Sequence, residues 1–258
     1  MMDWRLTVCG FIVGMLVGVS GMGGGSVMTA LLIVLFGVHP VSAVGTDLLY
    51  AAFTKTAGMR VHSSRGNVVW PIVGWLAAGS IPGTLATLML LARLPAGSPA
   101  LAKGITITLG LALLASSAGL LLRRRASRSG DKEVEDGPAA RPMATVLLGL
   151  LLGPIVSLTS VGAGALGFVA LRALYPQTRA VRLVGIDIAH AVPLTLLAGA
   201  GHWYLGDVDW RLLVALLLGS IPGIVVSSAL AHHLPERLMQ AILGIVLAVI
   251  GARLIWSP

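Results

Sequence analysis

A chain of 258 residues that is 56% hydrophobic and 11% charged, with a mean hydropathy of +0.92, cannot keep most of its side chains in water. Soluble domains carry about 25% charged residues, so the composition is that of an integral membrane protein. The net charge of +8 raises a nucleic-acid reading, but the basic residues flank apolar runs and form no soluble patch, so their role is topological.

In chain order, the first apolar run, Leu6–Val38, is about 50 Å long as one helix, too long for one ordinary crossing of a hydrocarbon core of roughly 30 Å. It is interrupted by Val19–Ser26, "VSGMGGGS". Three plain spans follow, Val41–Met59, Val68–Leu91 and Leu101–Leu122, and then the charged segment Arg123–Pro142, an exposed linker. A second broken run, Ala144–Tyr175, contains Thr159–Ala165, "TSVGAGA", and precedes Val181–Ala200, Leu212–Leu230 and Leu238–Trp256. Backbone in lipid must satisfy its own hydrogen bonds, and no segment alternates with period two, so the spans are helices. With so many spans, the first is not a cleaved signal peptide. The single cysteine, Cys9, excludes an intrachain disulfide and a multi-cysteine metal site; no cofactor or metal motif is present.

Displaced by 140 residues, the sequence matches itself without a gap. Gly79–Gly83, "GSIPG", falls on Gly219–Gly223; Val44, Gly45 and Asp47 fall on Val184, Gly185 and Asp187; His62, Gly66, Val68 and Trp70 fall on His202, Gly206, Val208 and Trp210. From Phe11 to Ala118, 27 of 108 pairs are identical, concentrated in residue types that shared hydrophobicity does not align. The chain is therefore read as two transmembrane repeats, residues 1–122 and 143–258, joined by a linker at 123–142.

If each broken run is a hairpin returning to its own side, each half crosses an odd number of times and the repeats are inverted. That arrangement gathers 12 of the 18 Lys and Arg on the linker side. The positive-inside rule then puts the linker in the cytoplasm and both termini outside. The expected fold is an all-α polytopic membrane protein with two inverted repeats, each a broken hairpin plus three helices.

Inversion points the two breaks at each other, the pattern of a midplane site built from broken helices. Restarting helices offer unpaired N–H groups and the positive end of the dipole to an anion. The candidate substrate-binding residues are Ser20, Gly23, Gly24, Gly25 and Ser26 in the first half and Thr159, Ser160, Gly162 and Gly164 in the second. Tight helix packing is the competing role for small residues, and the better account of the two GSIPG segments, with a proline kink.

Asp47 and Asp187 lie inside spans, where an ionisable group is costly unless it finds a partner or lines a cavity. Two roles stay open for them: exchange of a coupling proton or cation, or capping of backbone N–H groups. Lys55, two turns after Asp47, has Thr195 as its counterpart; it suits an anionic substrate or snorkels toward the headgroups. His190, which replaces Tyr50, is either a proton partner or a structural hydrogen-bonding residue. His62 and His202 sit beside tryptophans that account for them as interfacial anchors, and neither is taken as a ligand.

The runs "GFIVGMLVGVSGMGGG" and "HPVSAVGTDLLYAAFTKTAGMRVHSSRGNVVW", with the duplicated core, resemble the sulfite exporter TauE/SafE family, the 4-toluene sulfonate uptake permease group. The resemblance covers nearly the whole chain. It implies a bacterial inner-membrane transporter, an exporter by the family's description, of sulfite, organosulfonates or other small sulfur-containing anions. Only "TSVGAGALG" in the second half departs from the glycine-rich pattern.

The reading is a secondary transporter, not an enzyme, working by alternating access and coupled to protons or sodium. Its partners are a small anion, the coupling ion and lipid; oligomeric state, substrate and direction stay open. The alternatives are a scaffold or assembly partner without transport activity and a transporter of an unrelated small anion. An intramembrane enzyme needs a nucleophile–base or metal constellation, and neither H-E-x-x-H nor G-x-S-x-G is present.

Overall fold

The computed structural model describes residues 4–20, 25–95, 98–126, 141–162, 164–230 and 236–256. Gly23 and Gly24 lie outside the described residues, as does most of the linker, and so do the side chains of Ser20 and Ser26. Among the described residues the chain is all-helical. The first half contributes α1 (Trp4–Ser20), α2 (Gly25–Phe36), α3 (Pro40–Ser64), α4 (Trp70–Ala92) and α5 (Pro99–Ala126). The second contributes α6 (Pro142–Thr159), α7 (Ala165–Leu174), α8 (Ala180–Tyr204), α9 (Trp210–Leu230) and α10 (Glu236–Trp256).

Both long apolar runs divide where small residues cluster. Their second pieces, α2 with 12 residues and α7 with 10, are too short to span about 30 Å at 1.5 Å per residue. In the second break, α6 ends on Ser160 in the left-handed region (φ 56°), whose N–H still bonds Val156 O. Gly162 at φ 129° and Gly164 at φ 139° then take conformations that side chains rarely adopt.

The Gly-x-Val-x-Trp pattern is a helix stop followed by a helix start. Gly66 (φ 68°) and Gly206 (φ 84°) close α3 and α8 with matching bonds. The Asn67 N–H reaches His62 O at 3.0 Å and the Asp207 N–H reaches His202 O at 2.9 Å. Trp70 and Trp210 begin the next helices, about half exposed, as interfacial anchors require.

Among the described residues, five helical stretches are long and apolar enough to cross a membrane: Trp70–Ala92, Pro99–Leu120, Pro142–Thr159, Ala180–Tyr204 and Trp210–Ser227. Large apolar side chains such as Leu85, Met89, Leu151 and Val225 face outward, as lipid contact demands. The predicted span Val41–Met59 lies in α3, which is long enough but less apolar. Its polar residues include Asp47 and Lys55, and both are buried in the protein.

The helices exchange partners between the halves: α1 packs along α9, α6 along α4, α3 against α8 and α5 against α10. The close approaches are made by glycine. A Cβ on Gly79 would overlap Val146 O, and one on Gly219 would overlap Thr7 O; Gly83 and Gly223 meet Leu150 O and Phe11 O in the same way. The GSIPG glycines thus serve helix packing. The glycines of these pairs lie 140 residues apart, but their partners, Thr7 and Val146, Phe11 and Leu150, lie 139 apart. With this single-residue slip the sequence aligns Gly162-Ala163-Gly164 with Gly23-Gly24-Gly25, a closer glycine match than the uniform 140-residue register.

Candidate transport site

The α3–α8 pair forms the interior. Asp47 is 0% exposed, Lys55 3%, Asp187 4% and His190 1%. Lys55 lies within electrostatic reach of both carboxyl groups, so α3 and α8 together place one amine near two acids.

Each carboxylate also meets the broken run of its own half. Asp47 accepts hydrogen bonds from the Thr29 hydroxyl and the Thr29 backbone on α2. Asp187 accepts one from the Gly164 backbone N–H at the start of α7. A Cβ on Gly167, one turn into α7, would overlap Asp187 Oδ1. The chain's own carboxylates therefore occupy positions near the N-termini of the short helices, where dipole and free N–H groups favour negative charge. Thr46 takes no part in capping Asp47: its hydroxyl accepts the Asp209 N–H at 3.0 Å.

Position 50 of α3 and position 190 of α8 both meet the serine of a GSIPG segment. His190 Nε2 lies 2.8 Å from Ser80 Oγ on α4, and Tyr50 faces Ser220 on α9. Ser160 faces Asp47 across the halves. Its Oγ, Asp47 Oδ1 and Tyr50 OH are buried and make no well-aligned hydrogen bond among the described residues; Ser160 approaches Asp47, and Tyr50 approaches Ser220, only in looser geometry. Thr159 is engaged within the break: its hydroxyl donates to Ile155 O at 2.6 Å and accepts the Val161 N–H at 3.1 Å.

The structure thus brings together Asp47, Lys55, Asp187, Ser160 and Gly164. It places Gly25 at the first position of α2, leaves Gly162 in the turn before α7, and sets His190 against α4. Sequence reasoning passed over Thr29, Tyr50, Gly167 and the two GSIPG serines. The duplicated serine was a visible signal, because packing alone explains the glycines but not a hydroxyl; Thr29 has none, since Phe168 or Val169 stands at the corresponding place.

His202 is a further residue the sequence undervalued. It is 0% exposed, with Nδ1 2.9 Å from Asp207 Oδ2 and Nε2 2.9 Å from Ser157 O. It therefore ties the end of α8 to the last turns of α6, beside the break. Its neighbour Trp203 stacks edge-to-face on Trp210 at 5.5 Å. A cavity of about 320 Å³ opens at these helix ends between His39, Ser42, Leu91, Leu101 and Asp207; none of the candidate site residues lines it.

A multi-pass helical bundle with buried opposite charges at two helix breaks has the architecture of a membrane transporter. The comparisons with known proteins agree. The family model described as sulfite exporter TauE/SafE matches residues 6–254, and the chain belongs to this family. It is 36% identical to the probable membrane transporter protein YjnA of Bacillus subtilis (strain 168), over 98% of this chain and 100% of the relative. It is 28% identical to YdhB of the same organism, also called a probable membrane transporter protein, over 95% and 97% of the two chains. A probable membrane transporter protein of Xylella fastidiosa (strain 9a5c) is 25% identical over 96% and 92%. No solved structure matches the chain. The family and these relatives are membrane transporters, not enzymes.

Proposed function

We propose that the protein is an inner-membrane secondary transporter of sulfite or a small organosulfonate, working by alternating access between two inverted repeats. The observation that carries this is the buried set of Asp47, Lys55 and Asp187 on α3 and α8, beside both helix breaks. Ionisable groups inside a membrane protein mark ion and substrate pathways.

In this mechanism, the N–H groups at the starts of α2 and α7 hold a carboxylate in one state and the anion's oxygens in another. Gly23, Gly24, Gly25, Gly162 and Gly164 supply those donors, with Ser20, Ser26, Thr159 and Ser160 as hydroxyl groups around them. Lys55 balances the charge of whichever anion is present. Neutralising a carboxylate with a coupling ion, a proton in the reading we favour, frees the donors and links ion movement to substrate movement. The exchange of partners between halves, α1 on α9 and α6 on α4, supports two units related by a two-fold axis. Inversion, with the positive-inside rule, sets the linker in the cytoplasm and both termini in the periplasm.

The test is sulfite flux in proteoliposomes under an imposed pH gradient, with taurine, sulfoacetate, sulfate and acetate as competitors. Saturable flux that collapses with the gradient is expected. Absence of flux across the anion panel would instead favour a scaffold.

A further inference from the structure

The two halves are chemically unequal around the charged centre. On the α8 side, Asp187 has the Gly164 N–H and the charge of Lys55, and His190 has Ser80. On the α3 side, three buried oxygens make no well-aligned hydrogen bond among the described residues: Asp47 Oδ1 and Ser160 Oγ, which approach each other loosely, and Tyr50 OH, which lies loosely against Ser220. Their residues are 0%, 1% and 0% exposed. Asp47 and Tyr50 are three residues apart on α3 and so share a face, and Ser160 approaches Asp47 from the end of α6. That end carries the negative pole of the helix dipole, which favours a cation.

Charge points the same way. With both carboxyl groups ionised, two of them against one ammonium would leave this buried cluster one negative charge in excess, and an uncompensated buried charge is strongly unfavourable, so a cation or a proton is needed to balance it. Asp47, with one oxygen bound by Thr29 and the other only loosely approached by Ser160, is where a positive charge is missing.

We propose that Asp47 Oδ1, Ser160 Oγ and Tyr50 OH form the site of a single monovalent cation, and that Asp187 serves as the standing partner of Lys55. The ligands are hard oxygens, the donor set suited to sodium or to a proton carried on water. This rests on the transporter reading and assigns its coupling ion to one half only. The titratable groups around the site are Tyr50 and Lys55 on α3, Asp187 on α8, His190 beyond Lys55, and Cys9 on α1 beside Tyr50.

The test is binding by the purified full-length protein in detergent, without any anion substrate, read as the shift of the thermal unfolding midpoint. NaCl replaces choline chloride at constant ionic strength, and in a second series pH is varied without sodium. A ligand that binds only the folded state raises the midpoint with concentration. A saturable sodium-dependent rise identifies sodium; a pH-dependent rise without one identifies the proton. Asp47→Asn should abolish the dependence, and Ser160→Ala and Tyr50→Phe should each weaken cation affinity about tenfold. Ser116→Ala, which removes another buried unpartnered hydroxyl, on α5, should leave it unchanged. Lys55→Met should tighten cation binding, because it removes the competing positive charge.

The absence of both dependences in the wild type overturns the proposal, as does a dependence that survives in Asp47→Asn. The proposal also fails if Ser116→Ala weakens binding as much as Ser160→Ala. Failure of the transport reading is a different result: cation binding with this mutational pattern but no anion flux in proteoliposomes.

Discussion

Asp47 and Asp187 hold equivalent positions in the two halves, yet their surroundings assign them different work. Asp187 caps the start of α7 through the Gly164 N–H and lies against Gly167; Asp47 is held on one side by Thr29 and only loosely approached by Ser160 on the other. In proteoliposomes, Asp47→Asn should keep the protein folded but remove the dependence of flux on the ion gradient; retained gradient dependence contradicts the coupling role. Lys55→Gln should raise KM for the anion roughly tenfold to a hundredfold, the scale of a lost hydrogen bond to a charged group. Full affinity in that variant excludes Lys55 from substrate contact. Both aspartates and Lys55 were legible in the sequence because charge inside an apolar span is conspicuous. The pairings were not: Ser160 was read as a hydroxyl for the anion and the GSIPG serines as part of a packing motif, and only packing sets Ser160 against Asp47, Ser80 against His190 and Ser220 against Tyr50.

The helices followed the hydrophobic runs closely, and the two breaks fell at the glycine-rich stretches. What the pattern could not supply was register, because a repeat comparison without gaps hides a slip of one residue between α1 and α6. Contacts such as those of Gly79 with Val146 and Gly219 with Thr7 expose it. The same contacts predict mutational cost. Gly79→Leu drives a side chain into the α6 backbone, so it should lower the thermal midpoint sharply or prevent folding. Gly74→Ala, at a position with open space on the same helix, should be neutral or slightly stabilising. Gly167→Ala, which forces a methyl group onto Asp187 Oδ1, should destabilise by about 1–3 kcal/mol and reduce flux. Wild-type behaviour of Gly167→Ala would mean that α7 and Asp187 are not held in this contact.

At the scale of the whole molecule, α3 and α8 carry the polar groups inside while the outer helices turn apolar side chains outward. The membrane class was readable from composition; the exchange of partners between halves was not readable, since it depends on which glycine faces meet. Inversion makes a topological prediction. With Cys9 replaced by Ser, a single cysteine at Ser129 in the linker should react with a membrane-impermeant maleimide only from the cytoplasmic side, and one at Ser257 only from the periplasmic side. Labelling of both from one side contradicts the inverted arrangement. The most direct test of the central claim is sulfite flux into proteoliposomes holding wild-type protein or Asp47→Asn, measured with and without an ion gradient. We predict saturable, gradient-driven flux in the wild type and loss of that gradient dependence in the variant. Absence of sulfite and sulfonate flux in the wild type, or equal gradient-driven flux in both proteins, would contradict it.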